Sequence, residues 1–149
     1  MENYSRIFEI SRKILKEYNE NIYKPQGIKI SGSGFVKALS PLVKSMSEDE
    51  TLPIFEKLIE LKGRAPISEL EQELRDRIPM LRARIRALAW KYKLVSFEKK
   101  NEEEEIVLKD LITALRDYYM ENYSKFRKEL QEIDNVEIVS IENEIESYS

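Results

Sequence analysis

The sequence predicts an all-α fold, a bundle of long amphipathic helices followed by a short acidic tail. Three observations predict it. Apolar residues recur at steps of three and four along most of the chain, which places them on one face of a 3.6-residue helix. Three segments open on helix start signals, a Ser or Asn followed three positions later by an acidic residue. Two of the apolar stripes are long, one from Leu70 to Tyr92 and one from Leu108 to Ile133.

The elements follow in order. Residues 3–18 form the first helix, with Tyr4, Ile7, Phe8, Ile14, Leu15 and Tyr18 on one stripe. Asn19, Asn21, Pro25 and Gly27 interrupt it. The stretch Lys29 to Gly34 (KISGSG) lacks the Lys-Ser or Lys-Thr that closes a phosphate-binding loop, so it reads as a linker. Residues 35–46 form a short helix with Phe35, Leu39, Leu42, Val43 and Met46 inward. Ser47 to Glu50 has the capping-box form, and the helix it opens stops at Gly63. Pro53 lies in its first turn, where the missing N–H costs nothing.

Ser68 to Glu71 is a second capping-box pattern. The stripe Leu70, Leu74, Ile78, Leu81, Ile85, Leu88, Tyr92 then continues as one helix of about 25 residues, kinked or broken at Pro79. Asn101 to Glu104 is the third start signal, and Glu102 to Glu105 suit the positive end of a helix dipole. The final helix follows, through Leu111, Leu115, Tyr118, Tyr119 and Phe126 to Ile133. The expected division is a helical domain over 1–133 and a tail over 134–149. In the tail Val136, Ile138, Val139 and Ile141 make one short strand, which has to join another sheet, such as a partner's edge, to be stable.

Composition narrows the chemistry. The 149 residues include neither cysteine nor histidine. Disulfides, thiol nucleophiles, thiolate metal sites, the Ser-His triad and histidine zinc helices are all excluded. No cofactor and no metal are expected. Carboxylates such as Glu71 and Glu73 are plentiful, but no pair is marked as catalytic, so the chain reads as a non-enzyme. No apolar run approaches the ~20 residues that span a bilayer, and the expectation is a soluble intracellular protein. The charged fraction of 36% is well above the roughly 25% of ordinary domains and suits a hot environment.

The net charge of −3 is unevenly spread. Residues 1–63 carry 10 basic and 9 acidic groups, residues 64–100 carry 10 and 5, and residues 101–149 carry 5 and 14. The basic middle touches nucleic acid or an acidic partner, faces the acidic third of the same assembly, or belongs to a solvated mixed surface. Trp90 lies opposite the Leu81–Tyr92 stripe. Three roles are open to it: packing on a second layer such as the first helix, anchoring a subunit contact, or stacking on a base.

A second architecture fits the middle, a winged helix with flanking helices. Residues 50–62 and 68–76 would be its first two helices, 79–93 the recognition helix, and 94–109 a two-stranded wing. Arg82, Arg86 and Lys93 would be the nucleic-acid contacts, on one flank of the exposed side, with Arg84 and Lys91 on the other. The function would then be a dimeric DNA-binding transcriptional regulator. Against it, the wing tip would be Glu102 to Glu105, which repels phosphate.

Arg84 to Tyr92 reads RIRALAWKY. It resembles a segment of GINS replication subunits, in the class whose helical A-domain precedes a small β B-domain. The order of helices agrees, with the 102–133 helix resembling the closing A-domain helix. The resemblance implies a non-catalytic scaffold subunit of an archaeal GINS complex. The partners it implies are a second GINS subunit in a 2:2 hetero-tetramer, the MCM replicative helicase and a RecJ-like protein, with DNA contact weak or indirect. It places the protein in the cytoplasm, at the replication fork, without a membrane. Interface or structural residues would be Arg84, Arg86, Trp90 and Tyr92, with Tyr118, Tyr119 and Tyr123. The B-domain is expected to be absent or truncated, since 16 residues from Asp134 to Ser149 cannot form it.

Overall fold

The structure is a computed structural model that describes residues 2–31, 33–121 and 137–140. Helix α1, Glu2–Tyr18, runs into a π-helical turn, Asn19–Tyr23, and a 3₁₀ turn, Lys24–Gln26. Strand β1, Ile28–Ser31, and helix α2, Ser33–Glu48, follow. The central unit is α3, Leu52–Glu60; β2, Arg64–Pro66; α4, Ile67–Leu74; α5, Leu81–Trp90; β3, Val95–Lys100; and β4, Glu103–Leu108. Helix α6, Leu111–Met120, and strand β5, Glu137–Ser140, complete the described elements.

The all-α expectation is wrong. The chain is mixed α/β, because β2, β4 and β3 form an antiparallel sheet in that spatial order. Three helices and then a hairpin over 95–108 follow the order of the winged-helix alternative, and β2 is a third strand that the alternative did not include.

The error sits at Asn101. It does not cap a helix but shares a two-residue hairpin loop with Glu102, between the paired Lys100 and Glu103. Both loop residues have positive φ, 53° and 67°. That is the geometry of a type I′ turn, where Asn is favoured because it tolerates the left-handed region. The glutamates then extend despite their poor strand propensity. Glu104 faces Lys99 and Glu103 faces Lys100 across the ladder, while Ile106 is driven into the core opposite Phe97. Opposite charges facing one another stabilise the pairing. Glu98 and Glu105 are also directly opposite, and Arg64 on β2 offsets their repulsion with ion pairs of 2.9 and 2.6 Å.

Other start signals are used differently. Ser47 lies inside α2, and α3 begins after Thr51 with no side-chain cap. Helix α4 begins after Pro66, and Ser68 donates to Glu103 at 2.7 Å instead of capping. The effective cap is Asp110, which accepts from the Thr113 N–H at 3.0 Å and starts α6. Pro79 marks a break, with α4 and α5 as separate helices and Met80 at φ 54° between them. Gly63 ends the α3 segment at φ +90°, and a β-carbon there would lie 2.9 Å from the Ile22 side chain. The presumed linker at 29–34 contains most of β1 and the start of α2.

One core joins all of this. Ile14 and Tyr18 of α1, Leu39 and Leu42 of α2, Phe55 and Leu58 of α3, Leu88 of α5 and Leu115 of α6 are all completely buried in one cluster. Tyr18 packs on Tyr23 and Phe55, with ring centroids 5.2 and 6.3 Å apart. Its hydroxyl donates to the Lys109 carbonyl, and that of Tyr23 donates to Asp110 at 2.6 Å. The end of α1 is thereby tied to the segment between β4 and α6. Among the described residues, Ile14 and Tyr18 of α1 and Leu111, Leu115 and Tyr119 of α6 are buried within the chain.

The tail strand also pairs within the chain. Ile138 and Val139 are opposite Ile30 and Lys29 of β1, not on a partner's edge. Val136 and Ile141 lie outside the described residues, as does the expected helix over 122–133 with Tyr123.

Candidate nucleic-acid interface

Helix α5 is positioned by its inner face. Leu81, Ile85 and Leu88 are buried, as is Tyr92 just past its end. The outer face carries Arg82, Ala83, Arg86 and Trp90 in solvent. Arg82, Arg86 and Trp90 are four residues apart, so they form one row about 12 Å long at 1.5 Å rise per residue. Trp90 is 66% exposed. The expected second layer over it is not present among the described residues. No acidic residue occurs in α5, and residues 75–93 hold seven basic groups against Asp76 alone.

The second flank of the helix has a different task. Arg84 turns back onto the α2–α3 turn. It donates to the Pro79 carbonyl at 2.9 Å and to the Asp49 carbonyl, and pairs with Glu50 at 3.1 Å. The Asp49 carboxylate accepts from Lys91 and from the Tyr92 hydroxyl, which also meets Ser45 at 2.9 Å. Tyr92 stacks on Tyr118, centroids 5.8 Å apart, and Tyr118 meets the buried Tyr119 edge-on at 5.2 Å. Arg84, Tyr92, Tyr118 and Tyr119 therefore fix α5 to the body. Lys93 is tethered as well, 3.1 Å from Glu121 of the α6 C-terminus. Among the described residues Arg86 has no ion pair.

Hydrogen bonds from Lys91 and then Tyr92 hold the Asp49 carboxyl below its usual value of 3.8. The sign follows from linkage. A carboxyl that is more acidic in the folded chain contributes stability above its unfolded pKa, and that contribution is lost as pH falls through the folded value. Chemical denaturation from pH 5 down to pH 2 therefore has a steeper loss of midpoint in the native chain than in Asp49→Asn. Parallel curves would exclude Asp49 from the acid limb.

Helix α4 lies beside the outer row and contributes Glu71, which the sequence marks only as the acidic end of a capping-box pattern. Its Oε1 accepts from Arg82 Nε at 2.9 Å, and its Oε2 lies 3.6 Å from Arg75 Nη2. The Arg75 contact is an i,i+4 pair visible in the sequence. The Arg82 contact depends on the angle between α4 and α5, which no periodicity reveals.

The wing is electrostatically opposite. Residues 98–105 hold five carboxylates and two lysines. Glu98 and Glu105 are occupied by Arg64, so the exposed acids are Glu102, Glu103 and Glu104 near the tip. A wing of this charge does not grip a phosphate backbone. Away from α5, an open groove of about 540 Å³ gathers Arg12, Lys16, Lys24 and Lys29 around Ile28 and Ile30.

Among the described residues no three His, Cys, Asp or Glu are placed to hold a metal ion, and no helix is long and apolar enough to cross a membrane. No protein-family model, no curated protein and no solved structure matches this chain.

Proposed function

We propose that this protein binds duplex DNA through α5, as a winged-helix regulator. The observation that supports this best is the outward row of Arg82, Arg86 and Trp90, on a helix without acidic residues, in the recognition position of the fold. The arginines supply phosphate and base contacts. The acidic wing is held off the backbone, so the helix carries the contact and the protein has no second grip on the adjacent groove. On this reading the chain works in the cytoplasm, on the nucleoid.

A second reading keeps the GINS-type scaffold, with a sister subunit, MCM and a RecJ-like protein as partners. The exposed Trp90 and the acidic wing tip favour a protein partner. The expected closing helix over 102–133 no longer supports it, since residues 103–108 are strand.

Fluorescence anisotropy with a 25-base-pair duplex separates the two. The regulator binds at 50 mM salt, and its affinity falls about a hundredfold by 200 mM for about four phosphate contacts. No binding at 50 mM salt, together with co-purification of a sister subunit that Trp90→Ala abolishes, would establish the scaffold instead.

A further inference from the structure

We infer that Arg82 is a guanine-reading residue and that Glu71 is its positioning residue, so that the DNA recognised contains a G·C pair opposite the first turn of α5. The inference rests on the duplex-binding reading and adds to it a base and a residue.

Arg82 is the second residue of α5, in the first turn. Recognition helices direct that end at base edges, whereas later turns run toward the backbone. A guanidinium reads guanine by giving two parallel hydrogen bonds to O6 and N7. It does so from one edge, which must be held in the plane of the base. An exposed arginine has several rotatable bonds and rarely keeps one orientation unaided. Here the Nε edge is held, because Glu71 accepts from Nε at 2.9 Å. With Nε engaged, the Nη groups are left as the outward donors. The side chain is 75% exposed, so they are open to solvent among the described residues.

Glu71 is suited to this by its own setting. Its side chain is only 17% exposed, and its second oxygen faces Arg75 at 3.6 Å. A carboxylate beside a phosphate backbone weakens non-specific binding, so its place here costs affinity. What it contributes is direction. Arg86, one turn on, has no such carboxylate among the described residues and is free to follow the phosphates. Ala83, exposed between them, lets the helix approach closely.

The test is selection from a randomised duplex pool, then anisotropy on the selected site and on each single base-pair substitution of it. The native protein is expected to select a guanine at one position, preferred by about 10–100-fold. Arg82→Ala loses that preference. Glu71→Ala loses it at the same position while its affinity for unrelated duplex rises. Glu71→Gln, which keeps an acceptor for Nε, retains part of it. A thermal melt of each variant confirms that it is folded. Guanine preference surviving Arg82→Ala or Glu71→Ala, or native binding without sequence preference, overturns the inference and leaves duplex binding intact. Absence of native binding to any duplex at 50 mM salt overturns both.

Discussion

Phe55→Ala is expected to lower the unfolding free energy by about 3–5 kcal/mol, the range for a fully buried phenylalanine truncated in a core that cannot collapse. The side chain is completely buried. It lies on α3, the first helix of the central α3–β4 unit, and its ring meets Tyr18 at the end of α1. The substitution therefore tests more than one contact. If the N-terminal helices and the central α3–β4 unit share a core, calorimetry gives a single transition, lowered by about 6–20 °C at roughly 2–4 °C per kcal/mol. A matched control is Met120→Ala, 56% exposed on α6, which should change stability by less than about 0.5 kcal/mol. Two separated transitions in the Phe55 variant, or a loss below about 1 kcal/mol, would mean that α1 and α2 fold apart from the rest.

The inward positions of this core were legible because burial follows periodicity. Phe35, Leu39, Leu42, Val43 and Met46 were read as one inward stripe and are all buried. So are Leu70, Leu74, Ile78, Leu81, Ile85, Leu88 and Tyr92. That second stripe also shows the limit of the method. It runs through two helices and a left-handed residue without losing register, so the pattern alone did not locate the break. Pro79 did.

Residues 101–108 were misread because Asn serves two conformations. At a helix start it accepts from free N–H groups, and in a tight hairpin it tolerates positive φ. The acidic run behind it was compatible with a helix dipole and equally with lysines across a ladder. What decides between them is long-range. Lys99 and Lys100 face Glu104 and Glu103, and Arg64, more than thirty residues away, bridges Glu98 and Glu105. Asp49 was hidden for the same reason. In the sequence it is one acid in a capping pattern, and only the fold brings Arg84, Lys91 and Tyr92 to it.

The outer flank of the 79–93 segment was assigned from helical geometry, and Arg82 and Arg86 do face solvent there. The division of labour between the two flanks was not visible. Arg84 and Arg86 are two residues apart in the chain and differ completely in surroundings. One is bound to two groups of the α2–α3 turn and to the Pro79 carbonyl, and the other is exposed to solvent.

That contrast gives the largest functional effect. Arg86→Glu is expected to weaken duplex binding by about a hundredfold at 100 mM salt. It removes one cation from the centre of the exposed row and places an anion against the phosphates. Losing a single phosphate contact lowers the salt slope by about one, and the added repulsion lowers affinity further. Because the side chain is exposed and has no ion pair among the described residues, the melting curve should be nearly unchanged, within about 0.5 kcal/mol. Arg84→Gln should do the reverse. It strips the Asp49 carbonyl and Glu50 of their partner, so stability falls while binding per folded molecule is kept. Anisotropy titrations over a salt series, beside thermal melts of both variants, read the two effects separately. A charge-reversed Arg86 chain that binds duplex as tightly as the native one would take α5 out of the groove, and with it the reading of this helix as the DNA contact.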